Sequence, residues 1–328
     1  MTLRVHLLQA PEPAVLDHLR GLLDPNVEVT VGETLPEPAG FEILVAGRPE
    51  PEHVAASRAL RTVIVPWAGL PPETRDLAVK HELAVHNLHH NAGNVAEMTL
   101  GLLLAATQRL VPADRALRAG DWRIRYLDVN PAMLLGGKTA LVLGYGAIGT
   151  RVAAALRALG MTVLATKADP ATVPPDCPDE VHPPGALHEL LPQATALVVC
   201  LPSTRHTRGL IGEAELALLP RPAALVNVGR GDVVDERALY EALRSGALHC
   251  AGLDVWTQYP TDEPSRANTP PSPFPFHELD NVVLSPHRGG AYNVADTERL
   301  RMAALAELLN AAAAGRPMSN AVDLDRGY

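Results

Sequence analysis

The sequence predicts an α/β fold built from parallel, doubly wound sheets. Short apolar runs of strand length alternate with helical segments along most of the 328 residues. One such run, Thr139 to Leu143, ends in a glycine-rich turn that opens a helix. The chain is longer than one average domain, so we expect two domains, each with its own core.

The first half of the chain contains the elements of one such sheet. We expect short buried strands at 3–8, 41–46 and 62–65 and a helix at 13–23. A long apolar helix is expected from Asn94 to about Leu110. Glu97 lies three residues after Asn94, which predicts a capping-box start with Asn94 as the N-cap.

The alternation continues in the second half. The expected strands are 139–143, 162–165, 196–201, 223–228, 249–255 and 282–284, and the expected helices are 147–159, 236–244 and 293–314. Asp235 is the natural N-cap of the second of these helices. The proline-rich stretch 260–275 continues neither helix nor sheet, and we expect a surface loop there, with a lid or a subunit contact as the alternative.

The glycine-rich turn predicts a dinucleotide site. Gly144 suits a tight strand-to-helix turn, Gly146 lets a pyrophosphate approach the backbone, and Gly149 lets helix and strand pack closely. The pyrophosphate is expected at the helix N-terminus, which carries free N–H groups and a partial positive charge. A purely structural turn is the alternative. The turn residues expected to contact the cofactor are Gly144, Tyr145, Gly146, Ala147, Ile148 and Gly149.

Composition excludes several classes of function. The formal net charge of −9 argues against a nucleic-acid or anionic-membrane surface, because both need clustered Lys and Arg. Cys177, Cys200 and Cys250 are widely spaced and odd in number, which indicates neither a disulfide framework nor a zinc site. We see no secretory signal and no apolar stretch long enough to span a bilayer, so we expect a cytoplasmic protein.

Further motifs follow in a fixed order after the glycine-rich turn. They are Leu201-Pro202-Ser203-Thr204 with Thr207, Val226-Asn227-Val228-Gly229-Arg230-Gly231-Asp232, Ala251-Gly252-Leu253-Asp254-Val255 and Ser285-Pro286-His287. In order and spacing these motifs resemble the D-isomer-specific 2-hydroxyacid dehydrogenase family, over about residues 62–315.

The resemblance implies two Rossmann-like domains. A flavodoxin-like substrate domain would comprise 1–93 plus 290–328, and an NAD(P)-binding domain, 94–289, would be inserted in it. It also implies a substrate cleft between the domains and a homodimer assembled through the coenzyme domains. The cofactor-binding positions that it implies beyond the glycine-rich turn are Thr166, Lys167, Leu201, Pro202, Thr207, Val228, Gly229, Asp254 and Gly289.

Two residues suit the chemistry of hydride transfer to a 2-oxo acid. The guanidinium of Arg230 is always charged and grips a carboxylate with two parallel hydrogen bonds. The imidazole of His287 titrates near neutrality and exchanges the proton of the developing alkoxide. Taken alone, each residue has a structural alternative, which is a surface ion-pair partner for Arg230 and a loop residue beside proline for His287.

The sequence departs from the family at the partner of the histidine. The family places a Glu followed by Pro five positions after the residue that corresponds to Asp254, and here that position is Tyr259. A phenol hydrogen-bonds an imidazole but gives the imidazolium no charge stabilisation at neutral pH. We therefore expect Tyr259 as the third catalytic residue and a weaker acid–base group, with reduction favoured at acid pH. Glu263, also followed by proline, and Gln258 are the alternatives.

The end of the second strand bears on the choice of cofactor. NAD-preferring enzymes place an acidic residue there to bind the ribose hydroxyls. Here the motif alignment places Lys167, and neighbouring Thr166 supplies a further hydrogen-bond donor. We expect NADP(H) to be favoured over NAD(H), although Asp169 lies close enough to leave the preference open.

The N-terminal half supplies the remaining candidates. The resemblance implies that the loop Trp67-Ala68-Gly69-Leu70 offers backbone N–H groups to the substrate carboxylate, so we expect Ala68, Gly69 and Leu70 to bind substrate. His86, His89 and His90 lack the register and carboxylate of a metal site, and no metal is expected.

The sequence therefore predicts an NAD(P)-dependent oxidoreductase that interconverts a small D-2-hydroxy acid and its 2-oxo acid. The expected substrates resemble glyoxylate, hydroxypyruvate or phosphoglycerate. A catalytically weak NAD(H)-sensing protein of the corepressor-like type and a formate- or phosphite-type dehydrogenase are the alternatives. Tyr259 favours the first alternative and Gln258 the second.

Overall fold

The computed structural model describes residues 2–126, 131–291 and 294–328. They divide into two compact units, Met1–Asn91 with Ala291–Tyr328 (unit 1) and Ala92–Gly290 (unit 2). The sequence placed the divisions at 93/94 and 289/290. The assignment of substrate to one unit and of cofactor to the other stays a prediction.

Twelve strands and ten α-helices are formed within the described residues. The strands are β1 Leu3–Leu7, β2 Val27–Val31, β3 Ile43–Val45, β4 Thr62–Val65, β5 Ala84–Asn87, β6 Thr139–Leu143, β7 Thr162–Thr166, β8 Glu180–His182, β9 Ala196–Val199, β10 Ala224–Asn227, β11 Cys250–Leu253 and β12 Val282–Leu284. The helices are α1 Pro13–Leu22, α2 Pro51–Ala55, α3 Pro72–Lys80, α4 Ala92–Thr107, α5 Leu110–Arg118, α6 Ala147–Ala158, α7 Leu187–Leu190, α8 Glu213–Leu218, α9 Glu236–Arg244 and α10 Ala295–Ala313.

Each unit is built on one parallel sheet. The strand order is β2-β1-β3-β4-β5 in unit 1 and β12-β11-β10-β9-β6-β7-β8 in unit 2. Every strand pair in both sheets is parallel. Both orders reverse direction partway through, as expected for doubly wound folds, so the predicted fold class is confirmed.

The core of unit 2 covers both faces of its sheet. Along β6, Leu141 and Leu143 belong to one buried cluster, whereas Ala140 and Val142 belong to another. Successive side chains of a strand point to opposite faces, so the near-continuous apolar run predicts burial on both sides. This double burial leaves only the strand ends available for polar function.

The start of α4 corrects one prediction. Asn94 is the third residue of this helix, because the helix begins at Ala92, and Asn94 is therefore not its N-cap. The helix thus begins two residues before the predicted start. In contrast, Asp235 caps α9 as predicted, since its Oδ1 accepts the Ala238 N–H at 2.8 Å.

The last helix and the tail complete unit 1. The predicted start of the last helix, Asn293, lies outside the described residues, and the helix is described from Ala295. After it, the tail pairs with β5 through an antiparallel bridge between His86 and Ala321. The Val322 N–H donates to Val85 O at 2.8 Å. The tail thus covers an edge strand that would otherwise expose unpaired backbone groups.

Within the described part of the chain, no helix has the length and apolar character needed to cross a bilayer.

The packing of Gly149 generates a stability prediction. A Cβ at Gly149 would overlap the carbonyl oxygen of Gly144, whereas a Cβ at Gly146 would meet no atom within 4 Å. We expect Gly149→Ala to lower the free energy of unfolding by about 1–3 kcal/mol, because backbone must move to admit the methyl group. Gly146→Ala, the matched control, should cost about 1 kcal/mol or less. Urea unfolding followed by circular dichroism compares the two, and equal losses would contradict the packing argument.

Candidate active site

The glycine-rich turn joins β6 to α6 in a left-handed bend. Gly144 has φ +96°, which side-chain-bearing residues rarely adopt. The N–H groups of Gly144 and Tyr145 both donate to Thr166 O, at 3.1 and 2.8 Å, and so fix the turn to the end of β7. Gly146 is the N-cap of α6 and has open space where a side chain would lie. The free N–H groups that begin α6 suit the phosphates of a dinucleotide.

Tyr145 contributes only its backbone to this turn. The residue is buried, and its hydroxyl donates to Asp179 Oδ2 at 2.5 Å and lies 3.2 Å from Cys177 Sγ. Burial and these two partners raise the pKa of Tyr145 above its ordinary value. Arg157 of α6 pairs with the same carboxylate oxygen of Asp179. The cluster that holds the Tyr145 side chain was not foreseen, and the predicted cofactor contact of Tyr145 stays a prediction that rests on its backbone.

The end of β7 carries the residues that bear on cofactor choice. Thr166 is buried and is the last residue of the strand, and Lys167 follows it half-buried with its N–H donating to His182 O at 3.0 Å. The carboxylate of Asp169 accepts the Ala171 N–H at 3.1 Å and caps a short 3-10 turn. A lysine therefore occupies the position immediately after the strand, and Asp169 is engaged with its own loop.

The loop after β9 lies against the turn after β10. Thr207 organises the first of these loops, since its Oγ1 donates to Pro202 O at 2.6 Å and accepts the Thr204 N–H at 2.8 Å. A Cβ at Gly229 would overlap Leu201 O, so only glycine permits this approach of two backbones. These contacts bring four of the predicted cofactor residues together at the carboxyl edge of the sheet, namely Leu201, Pro202, Thr207 and Gly229.

Arg230 is presented by a strand end whose geometry Asn227 fixes. Asn227 Oδ1 accepts the Gly229 N–H at 3.1 Å, and Asn227 Nδ2 donates to Arg230 O at 3.0 Å. The half-buried guanidinium of Arg230 donates from Nη1 to Gly229 O at 2.7 Å. Val228, which stands between Asn227 and Gly229 in the sequence, is buried. Asn227 was not singled out from the sequence, although a polar residue that ends a buried apolar strand is a usable signal.

Asp254 holds the loop that carries His287. Its side chain is buried, and Oδ1 accepts the Ser285 hydroxyl at 2.5 Å and the Arg288 N–H at 2.8 Å. Oδ2 accepts the Gly289 N–H at 2.9 Å. A Cβ at Gly289 would lie only 2.7 Å from that oxygen. The structure therefore shows Asp254 and Gly289 bonded to each other in support of the histidine loop, and their predicted contact with cofactor remains a prediction.

Tyr259 contacts His287 as the sequence comparison suggested. The phenol oxygen lies 2.9 Å from His287 Nδ1 and accepts the Trp256 N–H at 3.2 Å. Trp256 is itself anchored, because its Nε1 donates to Ser285 O at 2.8 Å. His287 has φ +56°, a left-handed conformation whose cost these contacts offset.

The two alternatives to Tyr259 lie elsewhere. Glu263 is exposed, and its nearest cation is Arg266 at 4.0 Å. Gln258 is exposed, and its N–H donates to Pro271 O at 3.2 Å. Neither side chain is bonded to His287 in the described residues, so the phenol, not a carboxylate or an amide, faces the imidazole.

The surroundings of His287 disfavour its charged form. Burial lowers the pKa of His287 below its ordinary value of 6.5, and the positive charge of Arg230 lowers it further. The negative charge of Asp254 opposes these effects only in part. At neutral pH the imidazole is therefore mostly neutral.

The predicted substrate loop lies in unit 1, after β4. Ala68, Gly69 and Leu70 are half-buried, and Asn87 Nδ2 donates to Ala68 O at 2.7 Å. This bond holds the loop to the end of β5. The placement of substrate against the loop remains a prediction.

The histidines of unit 1 have other partners. His86 Nδ1 lies 2.8 Å from Ser319 O, and His90 Nε2 lies 3.5 Å from Arg301 Nε. In the residues that the structure describes, no group of three His, Cys, Asp or Glu side chains is arranged to hold a metal ion.

The Tyr259 contact predicts the titration of His287. We expect Tyr259→Glu to raise the pKa of His287 by about 1–3 units, because a carboxylate at this distance favours the imidazolium. NMR titration of the His287 ring, assigned with His287→Gln, measures the shift. Glu263→Gln is the control and should leave the pKa unchanged, and a fall in that variant would identify Glu263 as the partner instead.

Comparisons with known proteins agree with this geometry. Residues 100–289 match the family described as D-isomer specific 2-hydroxyacid dehydrogenase, NAD binding domain. Glyoxylate reductase from Aeropyrum pernix is 40% identical over 234 residues, which cover 70% of this chain and 65% of that protein. D-3-phosphoglycerate dehydrogenase from Methanocaldococcus jannaschii is 34% identical over 237 residues, which cover 70% of this chain and 41% of that protein. The chain thus spans less than two thirds of the length of either relative.

A solved structure is similar over the whole chain. It is the crystal structure of a D-isomer specific 2-hydroxyacid dehydrogenase from Xanthobacter autotrophicus in complex with NADPH and MES. The TM-score is 0.79 at 27% sequence identity, with 100% of both chains covered. The motifs, the two parallel-sheet units and the matched family profile agree, and this chain belongs to the D-isomer-specific 2-hydroxyacid dehydrogenase family.

Proposed function

We propose that this protein is an NAD(P)-dependent oxidoreductase that interconverts a D-2-hydroxy acid and its 2-oxo acid. The observation that carries the proposal is the placement of Arg230 and His287. They follow β10 and β12 at the carboxyl edge of one sheet, and β11, which leads to Asp254, lies between those strands. Doubly wound sheets bind their ligands at this edge.

The residues of the chain fit a dinucleotide. The open space at Gly146 and the free N–H groups of α6 suit the pyrophosphate. When bound, a reduced nicotinamide supplies the hydride that C2 of the 2-oxo acid accepts. The residues of the protein are then left with two tasks, which are to hold the acid and to deliver one proton to its carbonyl oxygen.

Arg230 performs the first task. Its guanidinium stays charged at every relevant pH and pairs with the carboxylate and the carbonyl oxygen of the substrate. The bond from Asn227 Nδ2 to Arg230 O fixes the backbone of Arg230, and the bond from Nη1 to Gly229 O fixes one nitrogen of its guanidinium. A positioned cation favours the negative charge that develops on the oxygen during reduction.

His287 performs the second task. Nδ1 faces Tyr259, so Nε2 is the nitrogen that gives its proton to the developing alkoxide. In the oxidative direction the same nitrogen must accept a proton. Nδ1–H then donates to the phenol oxygen, which stabilises the imidazolium less than a carboxylate does. The lowered pKa of His287 and the neutral partner both favour reduction at acid pH.

Turnover and its pH dependence test the proposed roles. We expect Arg230→Ala and His287→Ala to lower NADPH-dependent reduction of glyoxylate or hydroxypyruvate by about 100-fold or more. For the unmodified protein, kcat/KM should rise as pH falls toward and below 6.5, because the protonated imidazole is the donor. Tyr259→Phe should alter this profile. The loss of reduced-nicotinamide absorbance measures all four proteins.

Arg244→Ala is the matched control for this assay, since Arg244 is exposed and pairs with Glu241 on the surface. It should leave the rate unchanged. Full turnover in the Arg230 and His287 variants would refute the assigned roles. Tight cofactor binding without turnover on any 2-oxo acid would favour the sensing protein, which Tyr259 in the position of the family's glutamate supports as the second candidate.

We propose NADP(H) as the preferred cofactor. The position after β7 holds Lys167, whose charge attracts a 2′-phosphate, and the neighbouring Asp169 caps its own loop. A carboxylate at this position would instead bind the two free ribose hydroxyls of NAD. The related structure from Xanthobacter autotrophicus holds NADPH.

Lys167 is one of only three lysines, with Lys80 and Lys138, and this allows a sharp test. We expect Lys167→Asp to weaken NADPH binding at least tenfold in a direct titration, about 1.4 kcal/mol, and to leave NADH binding equal or stronger. Lys138→Asp is the exposed control and should change neither affinity. In amine labelling followed by mass spectrometry, NADP⁺ should protect Lys167 alone. Tighter binding of NADH than of NADPH to the unmodified protein would refute the preference.

The substrate class and the assembly are also proposals. The names of the relatives support glyoxylate- or phosphoglycerate-like acids, held at the carboxylate by Ala68, Gly69 and Leu70 of unit 1.

A homodimer is supported by apolar side chains exposed on and after α5, none of whose residues is buried. These side chains are Leu110, Val111, Leu117, Trp122 and Leu134. The free thiols of Cys177, Cys200 and Cys250 support a reducing, cytoplasmic location.

A further inference from the structure

One carboxylate oxygen joins the two ends of the loop that carries Tyr259 (the Tyr259 loop, residues 257–274). Glu236 is the first residue of α9, and its Oε2 accepts the Thr257 hydroxyl at 2.8 Å and the Ser272 hydroxyl at 3.2 Å. Hydrogen bonds to a charged acceptor are stronger than those between neutral groups. Because both hydroxyls bond the same oxygen, the carboxylate fixes the two ends of the loop relative to each other and to α9.

The C-terminal end of the Tyr259 loop also packs on α9. The ring of Phe274 stacks on that of Tyr240 in the second turn of the helix, with the ring centroids 5.7 Å apart. The Phe274 N–H donates to the hydroxyl of the buried Ser272 at 3.2 Å. This end of the loop is therefore held by α9 through several contacts, and Glu236 extends that hold to the N-terminal end at Thr257.

The N-terminal end of the loop leads directly to the phenol. Thr257 follows the buried Trp256 and lies two residues before Tyr259. Since Trp256 is anchored, the position of the phenol relative to His287 depends on the backbone torsions of Thr257 and Gln258. The bond from the Thr257 hydroxyl to α9 restricts those torsions. A hydrogen bond weakens steeply when its angle is distorted, so a small displacement of the loop would weaken the contact between phenol and imidazole.

We propose that Glu236 is a positioning residue that acts through Thr257 to hold the phenol of Tyr259 against His287. The inference rests on the proposed function, which assigns proton transfer to the imidazole. A misplacement of about 1 Å caused by a substitution far from the reacting atoms costs up to about 100-fold in rate. Loss of the bond between Glu236 and Thr257 therefore lowers the rate of proton transfer and leaves the affinity for NADPH unchanged.

Thr257 allows a test that leaves α9 and the core intact, because its side chain is exposed. We expect Thr257→Val to lower kcat/KM for glyoxylate about fivefold or more, with the KM for NADPH unchanged. Thr257→Ser keeps the hydroxyl and should retain the rate of the unmodified protein. An equal loss in both variants, or no loss in Thr257→Val, would overturn the proposal.

Glu236→Ala should lower the rate as Thr257→Val does. The matched control is Glu213→Ala, since Glu213 is exposed and is likewise the first residue of its helix, α8. It should leave the rate unchanged. In a Tyr259→Phe background, Glu236→Ala should cause no further loss, because the contact that it supports is already absent. A loss as large as in the unmodified protein would show that Glu236 acts independently of the phenol and would contradict the inference.

NMR of the His287 ring nitrogens, assigned with His287→Gln, reports the contact without turnover. Arg230 and Asp254 also act on this ring and are unchanged in the variants. Thr257→Val should move the Nδ1 signal in the direction in which Tyr259→Phe moves it, and Thr257→Ser should not. An unmoved signal in Thr257→Val, together with turnover of glyoxylate by the unmodified protein, would overturn the inference and leave the proposed function standing. The shift without turnover of any 2-oxo acid would support the positioning role and refute the proposed function.

Discussion

The buried carboxylate of Asp254 is the interaction on which the candidate site depends. It ends β11 and accepts three hydrogen bonds from the segment that follows β12, one from Ser285 and two from the backbone of Arg288 and Gly289. A carboxylate buried in this way is stable only when its oxygens are satisfied. The loop cannot relax without leaving the charge unpaired. His287 is therefore held in a left-handed conformation that it would not adopt by itself.

A close contact between two backbone segments extends this constraint to Arg230. A Cβ at Gly231 would overlap the backbone of Trp256, so the turn after Arg230 lies directly on the segment that leads to Tyr259. The Trp256 N–H then donates to the phenol, and the phenol bonds His287. Arg230, Tyr259 and His287 thus belong to one packed assembly. We expect the effects of substitutions at these three residues to be non-additive.

Much of this assembly could be predicted from the sequence, and the missing parts have a physical explanation. Strand and turn positions depend on local patterns, so the glycine-rich turn and the Asp235 cap were predicted correctly. The direction of the Tyr145 side chain depends on Asp179, thirty-four residues away, and no local pattern encodes that pairing. The N-cap prediction for Asn94 was wrong, because α4 begins at Ala92 and the cap pattern alone does not set the helix start.

Weakly patterned elements were missed for a different reason. β2 is an edge strand of half-buried, alternating residues, and β8 is a three-residue edge strand, so neither has the apolar run that marks a central strand. The choice of Tyr259 over Glu263, in contrast, was made from its spacing after Asp254. The structure adds that Glu263 is exposed and that the Gln258 N–H bonds to Pro271 O within the proline-rich loop.

The phenol in place of a carboxylate has consequences for the whole proton path. A carboxylate only accepts hydrogen bonds, so it fixes Nδ1–H and holds the charge of the imidazolium. Tyr259 already accepts the Trp256 N–H and can either donate to Nδ1 or accept from it. The phenol therefore supports both neutral tautomers of His287. Unlike a carboxylate, it carries no negative charge that would oppose the effect of Arg230 on the pKa of His287. Oxidation of a hydroxy acid leaves a proton on the imidazole, whereas reduction removes one. A site that disfavours the imidazolium therefore favours the reductive direction, once the imidazole has taken up a proton from acidic solution.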